Sequence, residues 1–172
     1  MKPIYENIPP LLRRLNRWVV WKYEERNGKK TKPPYVPTTG RIRNAMVNIP
    51  GTWGSLEQAK KAFETGTYDG IGFVLGEGII GFDVDHATDA MIGEALSLGT
   101  YTEQSPGGLG IHVIGQSDIL TAGRRKGNVE FYMQGRYFTV TGDILPGSPA
   151  DVMRIPDILL HEYLKRHFDI DT

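Results

Sequence analysis

Two carboxylates one residue apart, Asp83 and Asp85, end an apolar stretch that begins at Ile79. Such a stretch is typical of a β-strand, and strand alternation puts both carboxylates on one face, with Phe82 and Val84 on the other. Two like charges this close repel each other unless a partner neutralises them, and a hard cation is the most common partner. The pair therefore predicts a Mg²⁺ or Mn²⁺ site for phosphoryl transfer. The alternative is a solvated strand end that caps the next helix.

A third carboxylate, Glu130, lies in the apolar and aromatic segment Val129–Tyr132. An unpaired charge there would be costly, so Glu130 needs a partner. Three carboxylates on neighbouring strands could hold two cations about 3.5–4 Å apart, which stabilises both the attacking and the leaving oxygen. Asp83, Asp85 and Glu130 are thus the predicted catalytic residues and metal ligands. His86 is interpreted either as a further contact of this site or as an ordinary residue at a helix start.

The segment 105–112 combines a glycine-rich loop with a histidine that enters the next strand. Backbone N–H groups in such a loop can converge on an anion, and a serine adds a hydroxyl. The predicted phosphate-binding residues are Ser105, Gly108, Gly110 and His112. Taken separately, the loop also fits an ordinary turn and the histidine a core residue.

Basic and aromatic residues near Glu130 complete the predicted site. Arg136 and the cluster Arg124, Arg125 and Lys126 flank Glu130 in sequence and could bind a triphosphate or a template backbone. Tyr132 shares the face of Glu130 by alternation and could pack against a nucleotide. Earlier in the chain, Lys30 and Lys32 are further candidates for phosphate contacts. The alternatives are solvated charges and a core tyrosine.

Hairpins and short helices are the predicted framework of this site. The predicted strand pairs are 70–75 with 79–85, 129–132 with 136–142, and 18–23 with 30–37. The last pair turns at Asn27-Gly28, and its prolines confine 30–37 to a sheet edge. Helices are predicted from Pro10, from a capping box at Ser55, over about 88–98, and along 155–164.

Length and composition favour one compact unit of 172 residues. The absence of cysteine excludes disulfides and thiolate metal sites, and it favours the reducing cytoplasm. No apolar run approaches membrane-spanning length, so no membrane partner is expected. Charge is uneven, because residues 1–60 carry 12 Lys and Arg against 4 Asp and Glu, whereas residues 61–120 carry 1 against 9. This asymmetry predicts a polyanion-binding surface beside an acidic centre.

The order of four motifs resembles the primase–polymerase domain of the archaeo-eukaryotic primase superfamily, especially the bifunctional phage and plasmid type. The motifs are Gly-Ile-Gly-Phe-Val-Leu, Asp-Val-Asp-His, Glu-x-Ser-Pro-x-Gly-x-Gly-x-His and Val-Glu-x-Tyr-x-x-x-Arg-Tyr-Phe-Thr-x-Thr-Gly, within residues 18–142. The resemblance implies that Asp83, Asp85 and Glu130 bind metal. It also implies that His112 contacts the nucleotide phosphates and that Arg136 lies near the nucleotide.

The fold implied by this resemblance is α/β (α+β). A catalytic lobe on an antiparallel sheet similar to an RNA-recognition motif, at about 67–150, packs on a smaller basic N-terminal lobe at about 1–66, with a C-terminal helix at about 151–172. Two positions depart from the family pattern, with Gly107 replacing a serine and Leu109 a polar residue. Phosphate binding would then rely more on backbone N–H groups and on Arg124, Arg125 or Arg136.

The resemblance implies a template-dependent DNA polymerase or primase that uses two Mg²⁺ or Mn²⁺ ions. Its partners would be single-stranded DNA, a primer strand and nucleoside triphosphates. A helicase or a helical priming domain is a further partner that the resemblance suggests. Because relatives commonly continue further, the chain is expected to be a stand-alone version or a fragment. One alternative is a rolling-circle initiator nuclease, which needs a second histidine where Ile114 stands. The other is a non-catalytic nucleic-acid-binding module.

Overall fold

The computed structural model describes residues 2–38 and 40–169. Within these residues the strands are β1 (Trp18–Trp21), β2 (Glu24–Arg26), β3 (Lys29–Thr31), β4 (Pro34–Tyr35), β5 (Gly70–Val74), β6 (Ile79–Val84), β7 (Thr102–Gln104), β8 (Ile111–Gln116), β9 (Arg124–Lys126), β10 (Val129–Tyr132) and β11 (Tyr137–Val140). The α-helices are α1 (Pro10–Arg13), α2 (Leu56–Glu64), α3 (Asp89–Leu96) and α4 (Asp157–Phe168). All pairings between these strands are antiparallel. The prediction of a mixed α/β fold with antiparallel sheets is confirmed.

A four-stranded sheet has the order β11-β5-β1-β4. Its strand β1 consists of tryptophan and valine, and all four residues are buried, as expected for a strand covered on both faces. The edge position of β4 agrees with the prediction from its prolines. The opposite edge of this sheet is formed by β11.

A five-stranded sheet has the order β7-β8-β6-β10-β9. Along β6, Phe82 and Val84 point into an apolar cluster with Leu160 and Tyr163 of α4. Gly81 and Asp83 alternate with them and lie on the opposite face, towards β11. A Cβ atom at Gly81 would lie 2.3 Å from a ring carbon of Phe138, which shows how closely β11 approaches this face. The two sheets therefore face each other across β11.

The remaining strands, β2 and β3, form a two-stranded ribbon. Its turn is Asn27-Gly28, and both residues have positive φ, 51° and 75°, as a type I′ turn requires. The predicted turn is therefore confirmed. The predicted pairing of 18–23 with 30–37 is confirmed where β1 pairs with β4, and β2 pairs with β3 nearer the turn in the same register.

The two other predicted hairpins are wrong, because each tight turn leads from one sheet into the other. After β5, Gly76 and Ile79 exchange both backbone hydrogen bonds at 3.0 Å, but β6 then joins the five-stranded sheet. The turn of the other predicted hairpin, at 133–135, likewise leads from β10 into β11 of the four-stranded sheet. At the first turn the Arg17 guanidinium donates hydrogen bonds to the carbonyls of Val74 and Leu75. These strands are largely buried on both faces, so packing rather than turn length decides their partners.

Helix starts follow the predicted capping signals. Ser55 and Gln58 form the capping box of α2, with hydrogen bonds of 3.1 Å and 2.8 Å. Thr88 caps α3 by accepting a hydrogen bond from the Met91 N–H. At the C-terminus α4 covers part of the predicted 151–172 segment, whose last three residues lie outside the described chain. None of the described helices combines the length and hydrophobicity that crossing a bilayer requires.

The predicted N-terminal segment and the predicted catalytic core share a sheet. Strands β1 and β4 come from the segment 1–66, and they complete the sheet that contains β5 and β11. One apolar cluster also includes residues from both segments, for example Leu12, Trp18, Phe73 and Phe138. The division into lobes and the likeness to an RNA-recognition motif stay predictions.

Candidate active site

Five ionisable residues form a row across the five-stranded sheet. Each residue is directly opposite its neighbour in the strand register, and opposite residues of antiparallel strands share a face. From β7 to β9 the row is Glu103, His112, Asp83, Glu130 and Arg125. The structure therefore brings together the predicted residues His112, Asp83 and Glu130, although they are far apart in sequence.

His112 lies between two carboxylates. Its Nε2 is 3.6 Å from Oδ1 of Asp83, and its Nδ1 is 3.5 Å from Oε2 of Glu103. The imidazole also packs on the Phe138 ring, with the centroids 5.1 Å apart. Burial acts to lower the pKa of His112, but the two carboxylates outweigh burial and raise the pKa above its usual value. The ring thus favours a positive charge at the centre of the row.

Asp83 is partly buried and lies among several charged residues. Burial raises its pKa, and the nearby negative charges of Asp85 and Glu130 raise it further, while His112 and Lys32 act in the opposite direction. The net direction is upward, so the ionised form of Asp83 lacks full compensation. A cation beside this carboxylate would supply that compensation.

The side chain of Glu130 is contacted by two residues that follow it closely in the sequence, Tyr132 and Arg136. The Tyr132 hydroxyl donates a hydrogen bond of 2.7 Å to Oε1 of Glu130, and Nη2 of Arg136 lies 3.4 Å from the same oxygen. The Arg136 guanidinium also lies over the Tyr132 ring, 4.7 Å from its centroid. The predicted neighbourhood of Glu130, Tyr132 and Arg136 is therefore present in the structure.

Asp85 follows the end of β6 and is exposed. Its N–H donates a hydrogen bond of 2.8 Å to the carbonyl of Asn128, which extends the pairing with the neighbouring chain by one residue. His86 then adopts a left-handed backbone conformation with φ 48°, so the chain leaves the extended conformation of β6 there. Within residues 2–38 and 40–169, no three His, Asp or Glu side chains converge as a metal-binding group, so the metal ligands stay a prediction.

The glycine-rich loop packs against the end of β6. A Cβ atom at Gly110 would lie 2.7 Å from the carbonyl oxygen of Val84 and 3.5 Å from Cα of Asp85, so only glycine permits this approach. The N–H groups of Gly110 and Gly108 donate hydrogen bonds to the side chain and carbonyl of Ser105. The loop thus lies beside the carboxylates, but these two N–H groups bond within the loop. Anion binding by the loop stays a prediction.

A cavity of about 450 Å³ opens beside Asp83 and His112. Its other lining residues come from the ribbon and the following segment, from Val47, and from the start of β11. They are Arg26, Thr31, Lys32, Pro33, Pro34, Val47, Gly135, Arg136, Tyr137, Phe138 and Thr139. The Tyr137 hydroxyl donates a hydrogen bond to the carbonyl of Lys32, which joins two walls of the cavity. Lys32 thus lines the cavity, while its contact with phosphate stays a prediction.

The other basic candidates are more dispersed. The Lys30 ammonium lies over the Tyr23 ring, 4.0 Å from its centroid, and Lys30 is not among the residues that line the cavity. The cluster Arg124, Arg125 and Lys126 forms the exposed edge strand β9. Alternation divides this cluster, because Arg125 shares the face of Glu130 and the other two residues point to the opposite face. Lys126 pairs there with Asp169.

Three residues of the site were given no role by the sequence reasoning, although Glu103 and Thr139 stand in the quoted motifs. Arg26 reaches the cavity from the ribbon, and no local pattern marks it. Thr139 lines the cavity, is 6% exposed, and its hydroxyl has no hydrogen-bond partner among the described residues. Glu103 is fully buried. The argument used for Glu130, a charge inside a strand, would also have singled out Glu103, but the polar composition of β7 obscured it.

One curated relative is similar to most of this chain. The chain is 29% identical to a DNA primase-polymerase of Nitratiruptor phage NrS-1 over 177 aligned positions, covering 92% of this chain and 23% of the phage protein. The chain thus spans about a quarter of the length of that relative. No family model matches the chain. The similarity, together with the row of site residues, supports a relationship between this chain and the primase-polymerases.

Proposed function

We propose that this chain is a metal-dependent nucleotidyltransferase of the archaeo-eukaryotic primase type, which adds nucleotides to a strand on a single-stranded DNA template. One observation carries the proposal: the strand register puts His112, Asp83 and Glu130 side by side on one sheet face, and the first two line a cavity. The similarity to a phage protein named as a DNA primase-polymerase supports the same conclusion.

Asp83, Asp85 and Glu130 are the proposed ligands of two Mg²⁺ or Mn²⁺ ions. The donor chemistry fits, because both cations prefer carboxylate oxygens. The raised pKa of Asp83 also supports this assignment, since the causes include burial and the charges of both other carboxylates. When bound, such ions lower the pKa of an attacking hydroxyl and neutralise the triphosphate and the leaving pyrophosphate.

Basic residues around the cavity are the proposed phosphate contacts. His112 presents Nε2 beside Asp83, while Lys32 and Arg26 line the wall formed by the ribbon and the segment after it. Arg136 lines the cavity as well and contacts Glu130. Ser105, Gly108 and Gly110 would bind phosphate from the side of Asp85. These groups position the triphosphate and stabilise its charge, which accounts for most catalysis of phosphoryl transfer.

Outside the cavity, we assign the DNA strand to the exposed basic residues. Arg125 continues the row of site residues to the edge of the five-stranded sheet, and Arg124, Lys126 and Lys30 would add contacts to the DNA backbone. Tyr132 would pack against the nucleotide. A helicase and a helical priming domain remain expectations from the resemblance.

Template-directed nucleotide incorporation with Mg²⁺ or Mn²⁺ tests the proposal. We expect Asp83→Ala/Asp85→Ala to lower incorporation by at least about 100-fold, because metal binding contributes several kcal/mol to such reactions. A matched control is Asp118→Ala/Asp157→Ala, which removes two exposed carboxylates that pair with Arg154. The control should incorporate nucleotides at the wild-type rate. Undiminished incorporation by the Asp83/Asp85 variant would refute the proposed function. Metal-independent nucleotide binding without incorporation would instead indicate a non-catalytic module.

A further inference from the structure

Glu103 is a fully buried carboxylate at the β7 end of the row of site residues. Burying a carboxylate is costly unless hydrogen bonds replace its water. Here Oε1 accepts hydrogen bonds from the Tyr101 hydroxyl at 2.8 Å and from the Gly142 N–H at 3.2 Å. Oε2 accepts one from the Thr141 N–H at 2.9 Å. Both oxygens are therefore fixed by neighbours.

The partners of Glu103 are themselves held in place. The Ile4 N–H donates a hydrogen bond to the carbonyl of Thr141, and the Asn7 side chain donates one to the carbonyl of Gly142. Gly142 has φ 70°, and a Cβ atom there would lie 2.3 Å from the carbonyl oxygen of Ile4. The segment that holds Glu103 is thus anchored to the N-terminal part of the chain. The carboxylate is a rigid element behind His112.

The imidazole of His112 has two different nitrogen environments. Nδ1 lies 3.5 Å from Oε2 of Glu103, an ion-pair distance. It is shielded from solvent and makes no well-formed hydrogen bond among the described residues, so its contact with Glu103 is that of an ion pair. Nε2 faces Asp83, which lines the cavity. The Phe138 ring packs against the imidazole at an interplanar angle of 34°, which limits its rotation. A carboxylate behind a histidine sets both the orientation of the ring and the nitrogen that carries the proton.

We propose that Glu103 is the positioning residue of His112: it keeps a protonated Nδ1 directed into the protein, so that Nε2 faces the cavity and the nucleotide phosphates. The phosphate contact rests on the proposed function, whereas the ring orientation does not. The competing explanation is purely structural, since Glu103 also connects β7 to the segment after β11 through Thr141 and Gly142.

Glu103→Gln and a stability-matched control separate these explanations. Glutamine keeps the shape of the side chain but removes its charge. The control is Thr100→Val, which removes a buried hydroxyl just before β7 that bonds Ile114 and Met153. Both variants lose buried hydrogen bonds, but only the first changes the environment of Nδ1. The affinity of the full chain for a deoxynucleoside triphosphate and for the corresponding nucleoside would be measured by calorimetry.

We expect Glu103→Gln to weaken triphosphate binding by about 10- to 100-fold, by analogy with the loss of a carboxylate behind a metal-binding histidine. Its affinity for the nucleoside should stay within about twofold of wild type, because the nucleoside lacks the phosphates. Thr100→Val should bind both compounds within about twofold of wild type. Equal triphosphate affinities for the two variants would overturn the proposal.

Nitrogen NMR of the imidazole gives a second readout that needs no nucleotide. The His112 signals, assigned with His112→Asn, should show a protonated Nδ1 in wild type and in Thr100→Val, and altered Nδ1 signals in Glu103→Gln. A wild-type His112 with a bare Nδ1 would overturn the proposal even if Glu103→Gln does not fold. If the wild-type chain binds no triphosphate but Nδ1 is protonated, the proposed function fails while the positioning role stands.

Discussion

Replacing Gly81 with alanine places a methyl group where the two sheets meet. The added Cβ would lie 2.3 Å, 2.9 Å and 3.0 Å from three ring carbons of Phe138. Phe138 is 3% exposed, and its ring packs on His112, so it has little room to move. Overpacking of this kind costs about 1–3 kcal/mol. For a chain of this size, that cost corresponds to a Tm lower by about 2–12 °C.

Gly93 provides the matched control for Gly81→Ala. Gly93 lies inside α3, and nothing lies within 4 Å of a Cβ built there. Gly93→Ala should therefore stabilise the protein by about 0.5–1 kcal/mol through helix propensity. The same chemical change should thus shift Tm in opposite directions at the two positions, as measured by calorimetry.

A second substitution tests the cause of the Gly81→Ala effect. Phe138→Leu in the Gly81→Ala background replaces the ring by a smaller and more adaptable side chain. The double variant should be more stable than the sum of the two single changes predicts, with a coupling of about 0.5–3 kcal/mol. Wild-type stability of Gly81→Ala, or strict additivity with Phe138→Leu, would refute the close approach of β11 to the site face.

Two further predictions concern charges of the site. Because the folded-state pKa of His112 is raised, its contribution to stability is fully present below its usual value near 6.5 and is lost as pH rises through the raised pKa. The stability difference between wild type and His112→Asn in urea unfolding should therefore shrink with rising pH, and a pH-independent difference would contradict this. For DNA binding, Arg125→Ala should reduce the salt dependence of log K for single-stranded DNA by about 0.7, because one phosphate contact is lost. Lys126→Ala should change it less, because Lys126 points to the opposite face and is paired with Asp169, so its proposed contact with the DNA backbone is the weaker of the two. Equal changes would contradict the division of the cluster.

The type of most elements could be predicted from local signals, because these signals act over a few residues. The capping box at Ser55, the Asn27-Gly28 turn and the apolar runs all produced the expected helices and strands. The partners of β5, β6, β10 and β11 could not be predicted in this way, whereas the pairing of β1 with β4 could. The short turns at 76–78 and 133–135 suggested hairpins, whereas burial on both faces sends β5 and β6 into different sheets.

The candidate site was predicted best where one strand carried an unusual residue. Glu130 stood out in an apolar strand, and the structure places it directly opposite Asp83. Arg26 escaped notice, and Glu103 was given no role although it begins a quoted motif, because the importance of both residues depends on partners that the register brings close, such as His112 for Glu103. Residues whose role arises only from the register between strands leave no local pattern in the sequence.

The passage of the chain between the two sheets also has a consequence for protein synthesis. The four-stranded sheet needs β1 near the start of the chain and β11, which ends at Val140. The five-stranded sheet likewise needs β10, which lies shortly before β11 in the sequence. The four-stranded sheet cannot be completed until β11 has left the ribosome, nor the five-stranded sheet until β10 has. The apolar strands β1, β5 and β6 therefore wait for their partners during translation, and these unpaired edges are where a chaperone would bind the nascent chain.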